Sequence, residues 1–255
     1  MESNLHSLFF LGGYDLEMLT IKQMLEGREG CAIMDKHLRW DNACLSVYQE
    51  ELSRYADTDV GIYGIELQED IAIPSNYHRI DHHNDWADKS SSLEQVAEIV
   101  GVELNHYQLL VAANDRGYIP AMGALGASKE EIDDIRKKDR AAQGVSEEDE
   151  RLAEMAIAEN LNAYKGVTIV KAFSSFFSPI CDRLFPYQRL LIYTDSEWMF
   201  YGEGTTKLAE ELTSEIKGRH VFHGGGPAGY IGAVRGAFTT KDIYQFVNII
   251  KQRYE

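Results

Sequence analysis

The chain has 255 residues, enough for one large domain or two small ones, and its hydrophobic content of 44% is that of a globular protein. The net charge is −16, from 41 acidic and 25 basic residues, which argues against a long nucleic acid partner, because such proteins present a basic surface to the phosphates. No apolar run reaches the ~18–20 residues that a membrane-spanning helix needs. The start of the chain lacks the basic region of a secretory signal, so we expect a cytoplasmic protein.

The cysteines and the basic residues are thinly distributed. Cys31, Cys44 and Cys181 are odd in number and widely spaced, which argues against a disulfide framework or a structural zinc site and favours three buried thiols. The basic cluster at 136–140 is interleaved with acids, and we expect it on a solvated helix. A small anionic substrate remains compatible with this charge distribution.

Strands and helices alternate over the first half of the chain. Ser92 is the expected N-cap of the third helix, with Gln95 as its capping-box partner. The predicted strands are 7–14, 31–34, 60–65 and 77–80. The predicted helices are 16–26, 42–56, 93–100 and 105–114. This alternation implies crossover connections and a mainly parallel sheet, in which ligands bind beyond the carboxyl ends of the strands.

The second half has a different texture. Residues 128–164 are predicted to be helical, with a break at Gly144, and a smaller α/β unit with a mixed sheet follows. Its predicted strands are 167–170, 189–193, 198–201 and 219–223, the second and third forming an antiparallel hairpin, and its helices are 207–217 and 240–253. We therefore divide this α/β protein into an N-terminal domain at 1–127, a helical connector at 128–165 and a C-terminal domain at 166–255.

Coordinating side chains follow several of the predicted strands. Asp81-His82-His83 comes directly after the fourth strand, where successive side chains point in different directions. Asp15 and Glu17 follow the first strand, although helix capping would equally explain both acids. A polar loop is the alternative interpretation of each segment.

A further acid, Asp115, comes late in a predicted helix, where the helix dipole disfavours an anion. Together with Asp15, Glu17 and His82 it forms a mixed oxygen and nitrogen set that suits Mn²⁺ or Mg²⁺. An ion of this kind polarises a phosphoryl oxygen and lowers the pKa of bound water. We therefore predict that these four residues bind a divalent metal ion.

A glycine-rich segment near the C-terminus is the second candidate for ligand binding. Gly224, Gly225 and Gly226 follow a predicted strand, and three residues without Cβ atoms allow backbone N–H groups to converge on an anion. We reject a dinucleotide-binding fingerprint because too little chain follows for a βαβ unit. His223 and Arg235 flank the segment as candidate phosphate contacts, and a purely structural turn remains the alternative.

The order of these features resembles the DHH phosphoesterase superfamily over most of the chain. Asp81-His82-His83 stands where the motif of that name is expected, Asp115 stands at the position of a late metal-binding acid, and the glycine-rich segment is similar to a substrate loop in the family's C-terminal domain. The resemblance implies a metal-binding N-terminal domain and a substrate-binding C-terminal domain, with the site in the cleft between them.

The sequence also departs from the family pattern. The first motif, typically His-x-Asp-x-Asp, reads 13-GYDLE-17, and the third strand offers Gly64 or Glu66 where a bridging aspartate is expected. The glycine-rich segment carries Pro227 in place of the usual histidine. Three interpretations follow: an enzyme with a single ion, a centre rebuilt with Asp35, His37 or Glu66, or a binding protein without catalysis.

We predict a metal-dependent phosphoesterase that acts on a small phosphorylated or nucleotide-like substrate. His83 would contact or protonate a phosphoryl oxygen, and Asp81 would orient a neighbouring histidine. The alternative is a catalytically silent protein that binds a nucleotide or another anion. The sequence is also compatible with a homodimer.

Overall fold

The computed structural model describes residues 5–40, 42–225 and 229–254, and the chain divides into two compact units at Gly144 and Val145. Each unit has its own sheet and hydrophobic core. Among the described residues, no helix combines the length and the apolar character needed to cross a membrane.

The sheet of the first unit has four strands in the order β2-β1-β3-β4, and every neighbouring pair is parallel. These strands are β1 at Ser7–Leu11, β2 at Cys31–Met34, β3 at Gly61–Ile65 and β4 at Tyr77–Ile80. The parallel sheet predicted from the sequence is therefore confirmed. Because all four strands run in one direction, their carboxyl ends lie along one edge of the sheet.

Helices cover one face of this sheet, and irregular structure with one short helix covers the other. The helices are α1 at Leu16–Leu25, α2 at Gln49–Tyr55, α3 at Ser92–Ile99, α4 at His106–Ala124 and α5 at Lys129–Ala142. Strand β1 alternates between the two cores, with Phe9 and Leu11 in the core of α1 and α3, and Leu8 and Phe10 in the core of α2. Because both faces of β1 are buried in this way, the strand is apolar at every position from Leu8 to Leu11.

Helix α4 extends past the predicted end at residue 114 and breaks internally. Gly117 and Tyr118 have non-helical dihedral angles, and Tyr118 has a φ of 59°. Pro120 follows, and its missing N–H would leave one hydrogen bond of a continuous helix unmade. Asp115 lies in the last turn before the break.

The second unit carries a mixed sheet of six strands in the order β5-β6-β7-β8-β10-β9. The strands are β5 at Leu161–Tyr164, β6 at Val167–Lys171, β7 at Arg189–Tyr193, β8 at Trp198–Gly202, β9 at Val221–Gly224 and β10 at Tyr230–Ala233. Among the described residues of this sheet, only β6 and β7 pair in parallel, and β7 and β8 form the predicted antiparallel hairpin. The helices are α6 at Glu147–Asn160, α7 at Ser178–Leu184, α8 at Thr205–Glu211, α9 at Thr213–Lys217 and α10 at Thr240–Arg253.

Several local predictions were wrong, and the predicted helix 207–217 is two short helices, α8 and α9. Residues 161–164 are a strand and not the end of a helix, because they pair with β6 across a tight turn. The cluster at 136–140 does not lie on a solvated helix, since α5 buries Arg136, Asp139 and Arg140. Cys31 and Cys44 are only partly buried, and Cys181 alone is a buried thiol.

Candidate metal centre

Three strand ends and one helix bring a group of acids and histidines together in the first unit. Asp15 and Glu17 follow β1, Glu66 follows β3, and His82 follows β4, all at the carboxyl edge of the parallel sheet. Asp115 reaches the same place from α4. The side chains of Asp15, Glu17, Glu66 and His82 are buried, which is costly for charged groups unless a partner is present.

The imidazole of His82 is the centre of this group. Its Nε2 atom lies 2.7 Å from Oδ2 of Asp115, 3.3 Å from Oε1 of Glu66 and 3.5 Å from Oε2 of Glu17. One ring nitrogen can donate to one acceptor, yet three carboxylates converge on it. Nε2 of His82, Oε2 of Glu17 and Oδ2 of Asp115 are buried and make no hydrogen bond of good geometry.

His83 adds a second imidazole at the mouth of the group. Its Nε2 lies 3.2 Å from Oε2 of Glu66 and 3.9 Å from Oδ2 of Asp115, while its side chain remains 42% exposed. Single ligand atoms of Glu66, His82, His83 and Asp115 all lie within 4.8 Å of one another. Oxygen and nitrogen atoms that converge in this way fit a divalent cation such as Mn²⁺.

The electrostatics of the group point to the same missing positive charge. Burial raises the pKa of Glu17 to about 8, and burial together with the charges of Asp115 and Glu66 raises the pKa of Asp15. Burial opposes the charged form of Glu66 as well, but the contacts with His82 and His83 outweigh it and lower the pKa of Glu66 to about 2. The same carboxylates overcome burial and raise the pKa of His82 to about 12. The protonated imidazole thus occupies the electrostatic role that a metal ion would take.

The N-terminus of α3 holds two of the carboxylates from behind. Oγ of Ser92 donates to Oε1 of Glu66 at 2.6 Å, and the N–H of Leu93 donates to Oε1 of Glu17 at 3.0 Å. The positive end of the helix dipole favours both anions. The predicted cap was wrong by one residue, since Ser91 caps α3 with Glu94, which leaves the Ser92 hydroxyl available to Glu66.

Helix α5 holds the group from a second side. Oδ1 of Asp139 accepts from the N–H of Leu16 at 3.2 Å, between the two acids that follow β1. Nη1 of Arg136 donates to Asp139 at 2.7 Å and to Oδ1 of Asn114 at 2.9 Å. The guanidinium also lies 4.6 Å from the ring of Tyr118, at the break in α4. This network was not predicted, because residues 136–140 were expected on a solvated surface.

Asp15 and Asp81 make mainly backbone contacts. Oδ1 of Asp15 accepts from the N–H of Met18 at 2.8 Å, so this residue is the N-cap of α1, as the capping alternative requires. Oδ1 of Asp81 accepts from the backbone N–H of His83 at 2.9 Å, and Oδ2 accepts from Arg79 at 3.1 Å. Asp81 therefore fixes the loop that carries both histidines through its main chain.

Of the three residues that the sequence offered as replacement ligands, the structure brings in Glu66. Asp35 pairs with Lys22 at 2.8 Å and accepts from the backbone N–H of His37 at 2.8 Å. The ring of His37 is exposed and packs against Tyr14, with ring centroids 5.5 Å apart. Neither Asp35 nor His37 belongs to the group around His82.

The glycine-rich segment of the second unit is the connection of the β9–β10 hairpin. Gly224 ends β9, Gly225 has a φ of 74°, and a Cβ on Gly229 would lie 1.9 Å from the carbonyl oxygen of Gly224. The backbone angle of Gly225 and the close approach at Gly229 therefore explain why these two positions are glycines. His223 and Arg235 are exposed near the hairpin, and Gly226 and Pro227 lie outside the described residues.

No protein-family model and no curated protein matches the chain. Solved structures do: the pGpG-specific phosphodiesterase PggH from Vibrio cholerae has 13% identity and a TM-score of 0.50, with 99% of each chain covered. The DHH domain of a protein described as a member of a ribosomal protein family has 11% identity and a TM-score of 0.50, covering 96% of this chain and 86% of that one. RecJ from Thermus thermophilus, solved in complex with Mn²⁺, has 10% identity, a TM-score of 0.48, and coverage of 98% and 52%. The chain has the fold of the DHH phosphoesterases, which confirms the resemblance at the level of the fold.

Proposed function

We propose that this chain is a metal-dependent phosphoesterase that cleaves a phosphodiester or phosphoanhydride bond in a small nucleotide-like substrate. The observation that carries the proposal is the convergence of carboxylate oxygens from Glu17 and Asp115 on the buried Nε2 of His82, none of which makes a hydrogen bond of good geometry. In a core without a ligand such an arrangement is costly, because three carboxylates share one imidazole and buried charge needs a matching partner.

Glu17, Glu66, His82 and Asp115 would hold the ion, and their carboxylates favour Mn²⁺ or Mg²⁺ over a softer metal. When bound, such an ion polarises a phosphoryl oxygen and lowers the pKa of water. His83 has an exposed imidazole beside Glu66, so it would donate a hydrogen bond to a phosphoryl oxygen. Asp81 would keep that imidazole in place through the backbone of the loop.

A small substrate agrees with the charge of the chain and with the character of one structural neighbour. The net charge of −16 opposes a long polyanion, whereas a short one needs only local neutralisation by a metal ion. PggH is described as specific for pGpG, a dinucleotide. We therefore propose pGpG-like dinucleotides as the first substrates to test.

The test uses purified protein with Mn²⁺, and it measures hydrolysis of bis-p-nitrophenyl phosphate, pyrophosphate and pGpG. We expect Glu66→Gln and Asp115→Asn each to lower kcat/KM by more than the about 10–100-fold that loss of an outer-sphere partner costs. Glu103→Gln is the matched control, since Glu103 is an exposed acid of the same unit outside the group.

Calorimetry with Mn²⁺ on the same variants separates the possible failures. Absence of Mn²⁺ binding together with tight binding of an anionic ligand such as pGpG would favour the silent binding protein. Equal Mn²⁺ affinity in the wild type and in Asp115→Asn would refute the metal centre itself.

A further inference from the structure

Trp40 is a large aromatic side chain beside the candidate metal centre, and the core does not account for it. The residue lies in the loop after β2 and is 50% exposed. The benzo ring of its indole rests on Gly13, where an added Cβ would lie 2.2 Å from Cη2 of the indole. The absence of a side chain at position 13 therefore allows the indole to lie against the end of β1.

The indole is also next to His83. The two ring centroids are 6.1 Å apart with an interplanar angle of 77°, an edge-to-face arrangement. His83 in turn lies 3.2 Å from Glu66, so a single imidazole separates Trp40 from the group that would hold the metal ion. A substrate whose phosphate contacts His83 would have its neighbouring groups within reach of the indole.

We propose that Trp40 is the stacking surface for a nucleobase of the substrate. This inference rests on the proposed phosphoesterase function and specifies its substrate class. The neighbouring acids repel the phosphates of a nucleotide, whereas an exposed indole stacks on the π-face of any base. Burying half an indole under a base also removes apolar surface from water, which favours the bound state.

Trp86 supplies a matched control in the same unit. It is 37% exposed, but Lys89 lies 4.4 Å and Arg79 5.5 Å from its ring, so cations already pack against this side chain. If general exposure of tryptophan caused nucleotide binding, both residues would contribute. If the position beside His83 matters, only Trp40 would.

Calorimetry on the Mn²⁺-loaded full chain tests the inference with two ligands, GMP and ribose 5-phosphate, which share the phosphate and ribose and differ in the base. We expect Trp40→Ala to weaken GMP binding by roughly 5- to 150-fold, the range that loss of one base–aromatic stack gives. Binding of ribose 5-phosphate should stay unchanged, Trp40→Phe should retain most of the GMP affinity, and Trp86→Ala should match the wild type.

The alternative outcomes overturn the inference. Equal losses for GMP and ribose 5-phosphate would show that Trp40 shapes the phosphate site, and unchanged GMP binding would show that its ring contacts no base. Hydrolysis of bis-p-nitrophenyl phosphate by wild type and Trp40→Ala is measured alongside. If both variants hydrolyse it while GMP binding does not depend on Trp40, the stacking inference fails and the phosphoesterase proposal stands.

Discussion

Glu66 shows how the backbone places a proposed metal ligand at this site. It follows β3 with a φ of 51°, in the left-handed region that residues other than glycine rarely adopt. A residue held there costs about 1–3 kcal/mol, and such residues concentrate at functional sites. The hydroxyl of Ser92 and the two histidines hold the carboxylate in return. The sequence identified Glu66 as one of several candidate replacement ligands. It does not reveal the backbone angle that turns this side chain towards the histidines.

Position 13 shows the opposite change. The first motif of the superfamily that the sequence resembles begins with a histidine, whereas this chain has Gly13, and the indole of Trp40 occupies the space that a side chain would take. A histidine could not be restored at this position without displacing Trp40. Because position 13 offers no ligand atom, we propose a centre with a single ion, beside which Trp40 adds an aromatic surface.

The titration of Glu17 predicts how the metal-free protein responds to pH. Its pKa is about 8 in the folded state against an ordinary 4.5, so between these values the folded state holds a proton that the unfolded state has lost. The stability due to this group is complete below its ordinary pKa and declines as the pH rises towards 8. The raised pKa of His82 acts in the same direction above its ordinary value of 6.5.

We therefore expect the melting temperature of the EDTA-treated protein to be higher near about pH 5.5 than near about pH 8. Mn²⁺ should reverse the trend, because the ion competes with protons for the same ligands. Thermal unfolding monitored by circular dichroism, with Glu17→Gln as the comparison, measures this. A Glu17→Gln variant with the same pH dependence as the wild type would contradict the assignment.

At the scale of elements, α5 connects the two halves of the candidate centre. Asp139 binds the backbone of Leu16 between Asp15 and Glu17, and Arg136 binds Asn114 beside Asp115. Residues that orient metal ligands affect affinity without touching the ion. Helix α5 is thus a positioning element for the proposed metal site.

We predict that Asp139→Ala lowers Mn²⁺ affinity by about 10–100-fold, the usual effect of losing an outer partner. Asp134→Ala on the same helix, which removes an exposed partner of Lys138, should leave the affinity unchanged. Calorimetry gives the affinity, and Asp139→Asn, which keeps one acceptor oxygen for the N–H of Leu16, should recover part of it. Breaking the buried pair with Arg136 also costs about 3–5 kcal/mol of stability, so folding is checked by urea unfolding at the same temperature. Wild-type Mn²⁺ affinity in Asp139→Ala would leave α5 with a purely structural role.

The sequence predicted elements better than it predicted their environment. Apolar periodicity and strand-end acids located β1 to β4 within a few residues and placed His82 and Asp115 as candidate ligands. The sequence alone does not distinguish a buried charged helix from a solvated one. Arg136 and Asp139 form an ion pair within α5, and such pairing leaves no local signal in the sequence. Strand β5 was missed for a related reason, since its pairing with β6 overrides the helical pattern of residues 161–164.

At the scale of the whole molecule, all of the proposed metal ligands and their supporting residues belong to the first unit, which ends at Gly144. We therefore predict that a protein comprising residues 1–144 folds and binds Mn²⁺ with an affinity within about threefold of the full chain. Circular dichroism and calorimetry on the same sample test both statements, and loss of Mn²⁺ affinity in a folded fragment would contradict the second.

The ligands are also far apart along the chain, from Glu17 after β1 to Asp115 in α4, and this has a kinetic consequence. Contacts between distant segments form late, after loops have closed and the sheet has assembled. An ion that recognises only the finished arrangement stabilises the native state without stabilising the folding transition state. Stopped-flow measurements should then show that Mn²⁺ slows unfolding and leaves the refolding rate unchanged. The ion would thus add kinetic stability to the folded protein without accelerating its folding.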